Sequence, residues 1–435
     1  MNEAKLIFKN SLWLVIGEII SKIAIFFLMV ILARKVEVSD FGKYNLAVSV
    51  ATIFSFIGDL GLNIFLFRET ARNRGLLSKY VSNILAMRLI LSIIFLAIVY
   101  FFTKIFHYSS DVARLIYLFS GWLCFMNLTF VFRTSFKAME IMKWDAIANI
   151  LDNILRLAIT VVLLSIGLNV LGVGIAYFLS GVMAFLFCLF IFIRYFTKFN
   201  FKLDFSLWFV ALKEMPSLSL VAILIPMFGM FDLIILAHFK GEEAVGLYGA
   251  SLKLVLMLIL IPGLITQAAF PKLSQQAFKN EDKFRSSVSY LVKTIFIFST
   301  LASLVIFLLS NYIIHLVYGA KYLTSARVLQ ILIWCFPLHA LNGVFIYGLN
   351  ARNKQNVNTI FIGSSILLNI LLAIVLAPKF SYIGVSFATL SSLIVLSILF
   401  NFYYSKKNYV SLKELKLTYK DLFMIKNIFS SEVAP

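Results

Sequence analysis

The sequence predicts an all-α integral membrane protein of about twelve transmembrane helices, set as two parallel six-helix repeats around a central cavity. Three observations carry that expectation. The 435 residues are 61% hydrophobic and only 14% charged, too little charge to cover a soluble protein of this size. Apolar runs of roughly 20 residues, each able to cross about 30 Å of hydrocarbon as a helix, follow one another along most of the chain. Finally, Ile31-Leu32-Ala33, Gly42 and Tyr44 return at one constant offset as Ile235-Leu236-Ala237, Gly246 and Tyr248, with Phe27 and Phe231 in the same register. Two copies of one membrane unit joined head to tail are a transporter layout, with substrate held between repeats that move against each other.

Taken in order, the apolar runs place spans near 11–33, 44–66, 83–103, 113–133, 147–167, 171–193, 214–238, 245–270, 287–309, 325–349, 357–377 and 381–404. Lys5 and Lys9 precede the first, but its apolar run reaches Ala33 and holds Glu18 and Lys22. That is too long for the core of a signal peptide, so the first span is expected to be retained. A second echo, Gly172, Val173, Ala176 and Ser180 against Gly384, Val385, Ala388 and Ser392, sets the lobes at 1–200 and 201–404. A basic cytoplasmic tail, 405–435, follows. Six spans per lobe make the copies parallel, related by an axis along the membrane normal.

Basic residues crowd alternate connections: Arg68, Arg72, Arg74 and Lys79; Arg133, Lys137 and Lys143; Arg194, Lys198, Lys202 and Lys213; Lys272, Lys279, Lys283 and Arg285; Arg352 and Lys354. With both ends of the chain they number about 25, against about 9 on the other side, which puts both termini in the cytoplasm. The tail mixes Leu412, Leu415, Leu417, Phe423 and Ile425 with lysines, as an interfacial helix on the anionic inner leaflet or as disordered chain. The formal charge of +19 is spread over these short connections and gathers in no patch, which argues against nucleic acid. Cys124, Cys188 and Cys335 lie inside apolar runs and are expected to be packing residues. Trp13, Trp122, Trp144, Trp208 and Trp334 mostly fall near span ends, as interface anchors, while Pro216, Pro226, Pro262 and Pro337 are candidate kinks.

Ionisable residues inside spans each cost about 2.5–3.5 kcal/mol on insertion scales and so demand a reason. Glu18 with Lys22, and Asp152 with Arg156, stand four residues apart with the acid first. Either these are local neutralised pairs, or, as Asn149, Asn153 and Thr160 beside the second pair suggest, they extend a polar cavity face. Asp59 has no base one turn away, and Ser49, Thr52 and Asn63 share its side, so it lines a cavity or bonds a neighbouring helix. Arg88 and Lys293 fall at nearly equivalent depths of the two copies and either snorkel or face a shared cavity. Lys253 and Asp232 sit deeper, free to pair with each other. Of the nine, Lys22, Arg88, Arg156, Lys253 and Lys293 are the candidate substrate cations, and Glu18, Asp59, Asp152 and Asp232 the candidate cavity or ion-coupling acids. No nucleotide-binding GxxxxGK[ST], metalloprotease HExxH or other metal motif is present.

The stretches "KNSLWLVIGEIISK", "ILARKVEVSDFGKYNLAVSVATIF", "IGDLGL" and "FRETARN" resemble the N-terminal part of the polysaccharide-transport flippases, the O-antigen and capsular repeat-unit flippases of bacteria. Their superfamily also holds multidrug extruders and lipid II flippases. The resemblance implies two six-helix lobes around a V-shaped cavity in the bacterial inner membrane. It implies as substrate an oligosaccharide on undecaprenyl diphosphate, flipped from the cytoplasmic to the outer leaflet. It also implies a cationic lumen, drive by an H+ or Na+ gradient with no other cofactor, and glycan polymerase machinery as a candidate partner.

A diphosphate carries about two negative charges and cannot cross hydrocarbon bare. Arg and Lys in a wet cavity would replace its hydration. No covalent bond changes, so an enzyme is not expected and no catalytic residue is assigned. Two rivals stand: a multidrug extruder of the same fold, and a membrane glycan polymerase or acyltransferase, for which His107 is the clearest outward candidate.

Overall fold

A computed structural model describes residues 3–196, 203–213, 224, 227 and 229–409, with side chains described from Lys9 onward. The expected features at Lys198, Lys202, Pro216 and Pro226, and the tail from 410 to 435, lie outside the described residues.

Every regular element among the described residues is helical, as an apolar solvent demands. With no water to take them, backbone N–H and C=O groups must pair within their own segment. The chain divides into two compact units, Met1–Ile223 and Leu224–Pro435. The first holds α1 (Glu3–Lys35), α2 (Val38–Ser55), α3 (Leu62–Arg72), α4 (Leu77–Ile105), α5 (Ser110–Ala138), α6 (Met142–Ser165), α7 (Val170–Tyr195) and a short α8 over 205–213. The second holds α9 (Met230–Lys279), α10 (Glu281–Tyr318), α11 (Ser325–Leu332), α12 (Cys335–Ala351) and α13 (Gln355–Lys406).

Nine described helices are long and apolar enough to cross a membrane, or ten when α2 and α3 count as one span bent by 41°. At 50 and 52 residues, α9 and α13 would each run about 75 Å if straight, more than twice the hydrocarbon thickness. Neither is straight. The backbone of α9 leaves helical geometry at Gly241 (φ 77°, ψ −177°), which a residue without Cβ tolerates, and that of α13 at Ser381 (φ 54°, ψ −140°). Counting each as two crossings would bring the ten to twelve. The break in α9 stands well before its prolines, whereas that in α13 follows Pro378 by three residues. Pro262 and Pro271 sit inside α9 without interrupting it, and Pro337 falls in the first turn of α12, where a missing N–H is tolerated.

In the first unit α5 is the central element, packed against α2, α3, α4 and α7, while α1 lies along α6. In the second, α9 takes that role against α10, α11, α12 and α13. The first unit runs past the 1–200 boundary expected from sequence because α8 belongs to it. Leu207 and Ala211 join the core of Leu77, Val81, Ile84, Phe132 and Phe192. Polar bonds fix the helix in place: Asn83 Oδ1 accepts from the Asp204 backbone N–H at 2.8 Å and from Trp208 Nε1 at 2.9 Å. Asp204 caps α8, its Oδ1 taking the N–H groups of Ser206 and Leu207, and its Oδ2 meets Lys79 Nζ at 2.6 Å. The Lys79 ammonium, helped by Ser206 and the Leu207 N–H, holds the Asp204 carboxyl well below the usual carboxylate range. The three cysteines are buried and unpaired.

Candidate functional site

The ionisable residues inside the spans fall into three polar knots, two in the first unit and one in the second. The first is built at the α2/α3 bend. Leu60 at φ 42° and Gly61 at φ 86° turn the chain so that Asp59 projects toward α4. There Arg88, which is 0% exposed, donates through Nη2 to Asp59 Oδ1 and through Nη1 to the Asn127 carbonyl of α5. Gly58 makes room for this, since a Cβ there would lie 2.2 Å from Asn127 Nδ2. Arg88 is thus not a snorkelling cation: an acid from a different span takes it. Its Nε remains without a partner. The solvent-accessible member of the pair is Asp59, 37% exposed. Its Oδ1 also accepts the Asn63 N–H at 3.3 Å.

The second knot centres on Arg156, 5% exposed, which bonds Asp152 on its own helix. The guanidinium also lies over the rings of Trp122 at 4.6 Å and Tyr177 at 4.4 Å, and reaches Asn153 Oδ1 at 3.3 Å. Two adjoining rings, an ion pair and an amide oxygen thus engage the guanidinium together. Asp152 and Arg156 thus form the local pair that their spacing allowed, and both are buried. Trp122, expected as an interface anchor, is instead one wall of this site. The Tyr177 hydroxyl meets that of Tyr44 at 2.7 Å.

The third knot occupies the corresponding place in the second unit. Tyr248 repeats Tyr44 at the first offset, and Thr389 repeats Tyr177 at the second. These two also touch, at 3.0 Å. Even the local bond recurs: Ser180 donates to the Tyr177 carbonyl at 2.9 Å, and Ser392 to that of Thr389 at 2.8 Å. At the centre here is not a cation but Asp232, 0% exposed. Its Oδ2 accepts from Tyr248 Oη at 2.8 Å and Thr389 Oγ1 at 2.7 Å. Thr389 Oγ1 also lies 3.5 Å from Asn369 Nδ2. Asp232 Oδ1 has no partner, and among the described residues no base pairs with Asp232. The Asp232–Lys253 pairing that depth alone allowed is not formed.

The other candidates lie outside these knots. Lys22 and Glu18 pair at 3.3 Å, both about half exposed. Lys293 is partly buried and engaged in contacts. Lys253 is partly buried, with no ion pair among the described residues. No described group of three His, Cys, Asp or Glu side chains is placed to hold a metal. Sequence reasoning missed Asn127, Tyr177 and Thr389; the two offsets would have found Thr389, as the repeat of Tyr177.

A fully buried carboxylate without a base is costly, on the order of several kcal/mol if charged. Two hydroxyl donors and an unsatisfied oxygen form a seat that a proton or a small cation would complete.

The family described as polysaccharide biosynthesis protein matches residues 7–277, and a second, MatE, matches 218–375. A probable low-salt glycan biosynthesis flippase of Haloferax volcanii, Agl15, is 25% identical over 187 residues, 43% of this chain and 39% of that protein. A putative O-antigen transporter of Shigella flexneri is 22% identical over 185 residues, 42% of this chain and 44% of that protein. The matches thus span less than half the length of these relatives. The solved structure of the lipid II flippase MurJ in an inward closed conformation shares the fold, with a TM-score of 0.77 at 16% identity over 98% of this chain and 94% of that one. The chain belongs to the polysaccharide biosynthesis protein family, within the superfamily of multidrug, oligosaccharidyl-lipid and polysaccharide exporters.

Proposed function

We propose that the protein flips a lipid-linked oligosaccharide, carried on undecaprenyl diphosphate, from the cytoplasmic to the outer leaflet of the bacterial inner membrane by alternating access. Both termini lie in the cytoplasm, and the energy comes from an H+ or Na+ gradient. The observation that carries the ion-driven part is Asp232, a carboxylate with two hydroxyl donors, one oxygen without a hydrogen-bond partner and, among the described residues, no base. An ion entering this seat neutralises the acid and biases whichever conformation closes around it. Support for the substrate comes from the family and from relatives named as glycan flippase and O-antigen transporter. Glycan polymerase machinery is the partner such a product implies.

Arg88 and Arg156 are committed to Asp59 and Asp152, so the diphosphate falls to the lysines. Lys253 is the foremost, with no ion pair among the described residues. Lys293, which has contacts of its own, and Lys22, paired with Glu18 at 3.3 Å, are secondary. No bond is made or broken, and the protein is read as a transporter and not an enzyme.

Reconstituted vesicles carrying a short-chain lipid-linked oligosaccharide on one face supply the test. Imposing an H+ or Na+ gradient should speed its appearance on the other face, and Lys253→Ala should slow it about 10- to 100-fold, the worth of a charge-assisted bond. Gradient-driven export of a lipophilic cation with no movement of the lipid-linked glycan would establish the extruder reading instead.

A further inference from the structure

In the second unit, α9, α12 and α13 line a partly open cavity of about 240 Å³. Its walls are mostly aliphatic, among them Ile259, Ile346, Ile362, Leu393 and Leu396, and carry no Asp, Glu, Lys or Arg. Among its polar lining groups is Asn342, 2% exposed. The Asn342 Oδ1 accepts from Ser397 at 2.9 Å, but its Nδ2 has no partner. A buried amide donor left empty costs about 1–3 kcal/mol, so its retention beside a void calls for an acceptor in that void. Gly343 and Gly263 also line the space, and a Cβ on either would meet nothing within 4 Å. The volume is held open and not packed.

The complement is an uncharged hydrocarbon body with one acceptor oxygen. A dry cavity of about 150 Å³ takes one benzene, so this one takes roughly ten carbons. Depth selects the source. Asn342 lies nine residues before the end of α12, about 14 Å along the helix, near the middle of the hydrocarbon. An ordinary phospholipid presents only methylenes at that level, its ester oxygens staying at the interface. Only a lipid whose polar linkage crosses the membrane brings an oxygen there.

We infer that this cavity seats the head-proximal end of the carrier lipid, about two isoprene units, with Asn342 Nδ2 donating to the oxygen that links chain to phosphate. The inference rests on the lipid-linked substrate proposed above and deepens it. The seat guides the chain while the headgroup is in transit, and it selects a prenyl phosphate over a phospholipid.

The test uses the full chain in phosphatidylcholine nanodiscs with farnesyl phosphate as probe, binding being read by thermal stabilisation and by native mass spectrometry. Two variants attack the site separately. Asn342→Leu keeps the volume and removes the donor; Ser397 remains satisfied, because it also bonds the Leu393 carbonyl at 2.9 Å. Gly343→Phe fills the void without meeting a wall atom at Cβ. Wild-type protein should bind farnesyl phosphate in preference to a phosphatidic acid of equal chain carbon. Asn342→Leu should weaken that binding about 3- to 10-fold, and Gly343→Phe should abolish it with melting temperature held or raised. Equal binding by both variants overturns the inference, as does equal preference for phosphatidic acid. Farnesyl phosphate binding that follows this pattern in a protein moving no glycan would keep the site and remove the flippase reading. Undiminished glycan export by Gly343→Phe would remove the site and keep the flippase.

Discussion

Two places in the molecule occupy the same position in the two repeats and hold opposite chemistry. In the first unit, Tyr44 and Tyr177 touch beside Arg156, a cation closed off by Asp152 and by two aromatic rings. In the second, Tyr248 and Thr389 touch beside Asp232, an acid met among the described residues by neutral donors alone. Duplication supplied the framework twice, and divergence made one copy electrically complete and the other incomplete. The completed copy is suited to hold helices together. The incomplete one is suited to respond to something that arrives.

The largest effect that would sharpen this comparison is expected at the incomplete copy. Asp232→Asn keeps the shape and removes the ionisable group. Gradient-driven transport should drop by about 100-fold or more, while thermal stability stays level or rises, since a buried unpaired charge is gone. Transport that keeps its full response to the gradient in this variant would erase the functional contrast between the knots.

The completed copy should answer in stability first. Arg156→Leu strands Asp152 in a dry site and should cost about 3–5 kcal/mol, whereas the double variant Arg156→Leu with Asp152→Leu should recover much of the loss. Unfolding monitored in detergent distinguishes the two. A double variant no more stable than the single one would show that Arg156 matters for its stacking and not its charge.

A finer test exchanges only hydroxyls. Tyr248→Phe takes a donor from a carboxylate and should cost about 1.5–3 kcal/mol, whereas Tyr44→Phe breaks a neutral contact and should cost about 1 kcal/mol. Equal costs would mean that Asp232 is not charged in the resting protein.

The smallest effect lies away from both knots. Because Lys79 holds the Asp204 carboxyl below its usual range, the contribution of this contact is present above that range and lost as pH falls through it. Proteolysis at the α8 segment should therefore accelerate on acidification in the wild type. In Asp204→Asn it should already be fast and nearly insensitive to pH.

Much of this architecture was legible in the residue pattern, because bilayer thickness fixes span length and apolar runs announce themselves. The 204-position offset singled out Tyr44 and Tyr248, one member of the hydroxyl contact in each unit, but not their partners Tyr177 and Thr389. The pairing of charges was harder to read. Asp152 and Arg156 lie on one helix, so spacing alone joined them. Asp59 and Arg88 are 29 residues apart on different spans, joined by a bend at Leu60 that no periodicity encodes. Nor could hydropathy reveal that Trp122 faces inward: an indole reads alike at an interface and over a guanidinium. The cavity beside Asn342 left no mark at all, since a void is a property of packing between helices and not of any one segment.

The bonds that tie α8 to the first unit bear on how this chain tolerates being cut. A gene divided at codon 200 would produce a leading fragment with Asn83 and Lys79 facing nothing, and a trailing fragment opening on a detached apolar helix. A division placed after Lys213 keeps Asp204 and Trp208 with their acceptor and donor on α4. The two lengths of chain, expressed from separate messages, should then find each other in the bilayer as a working pair.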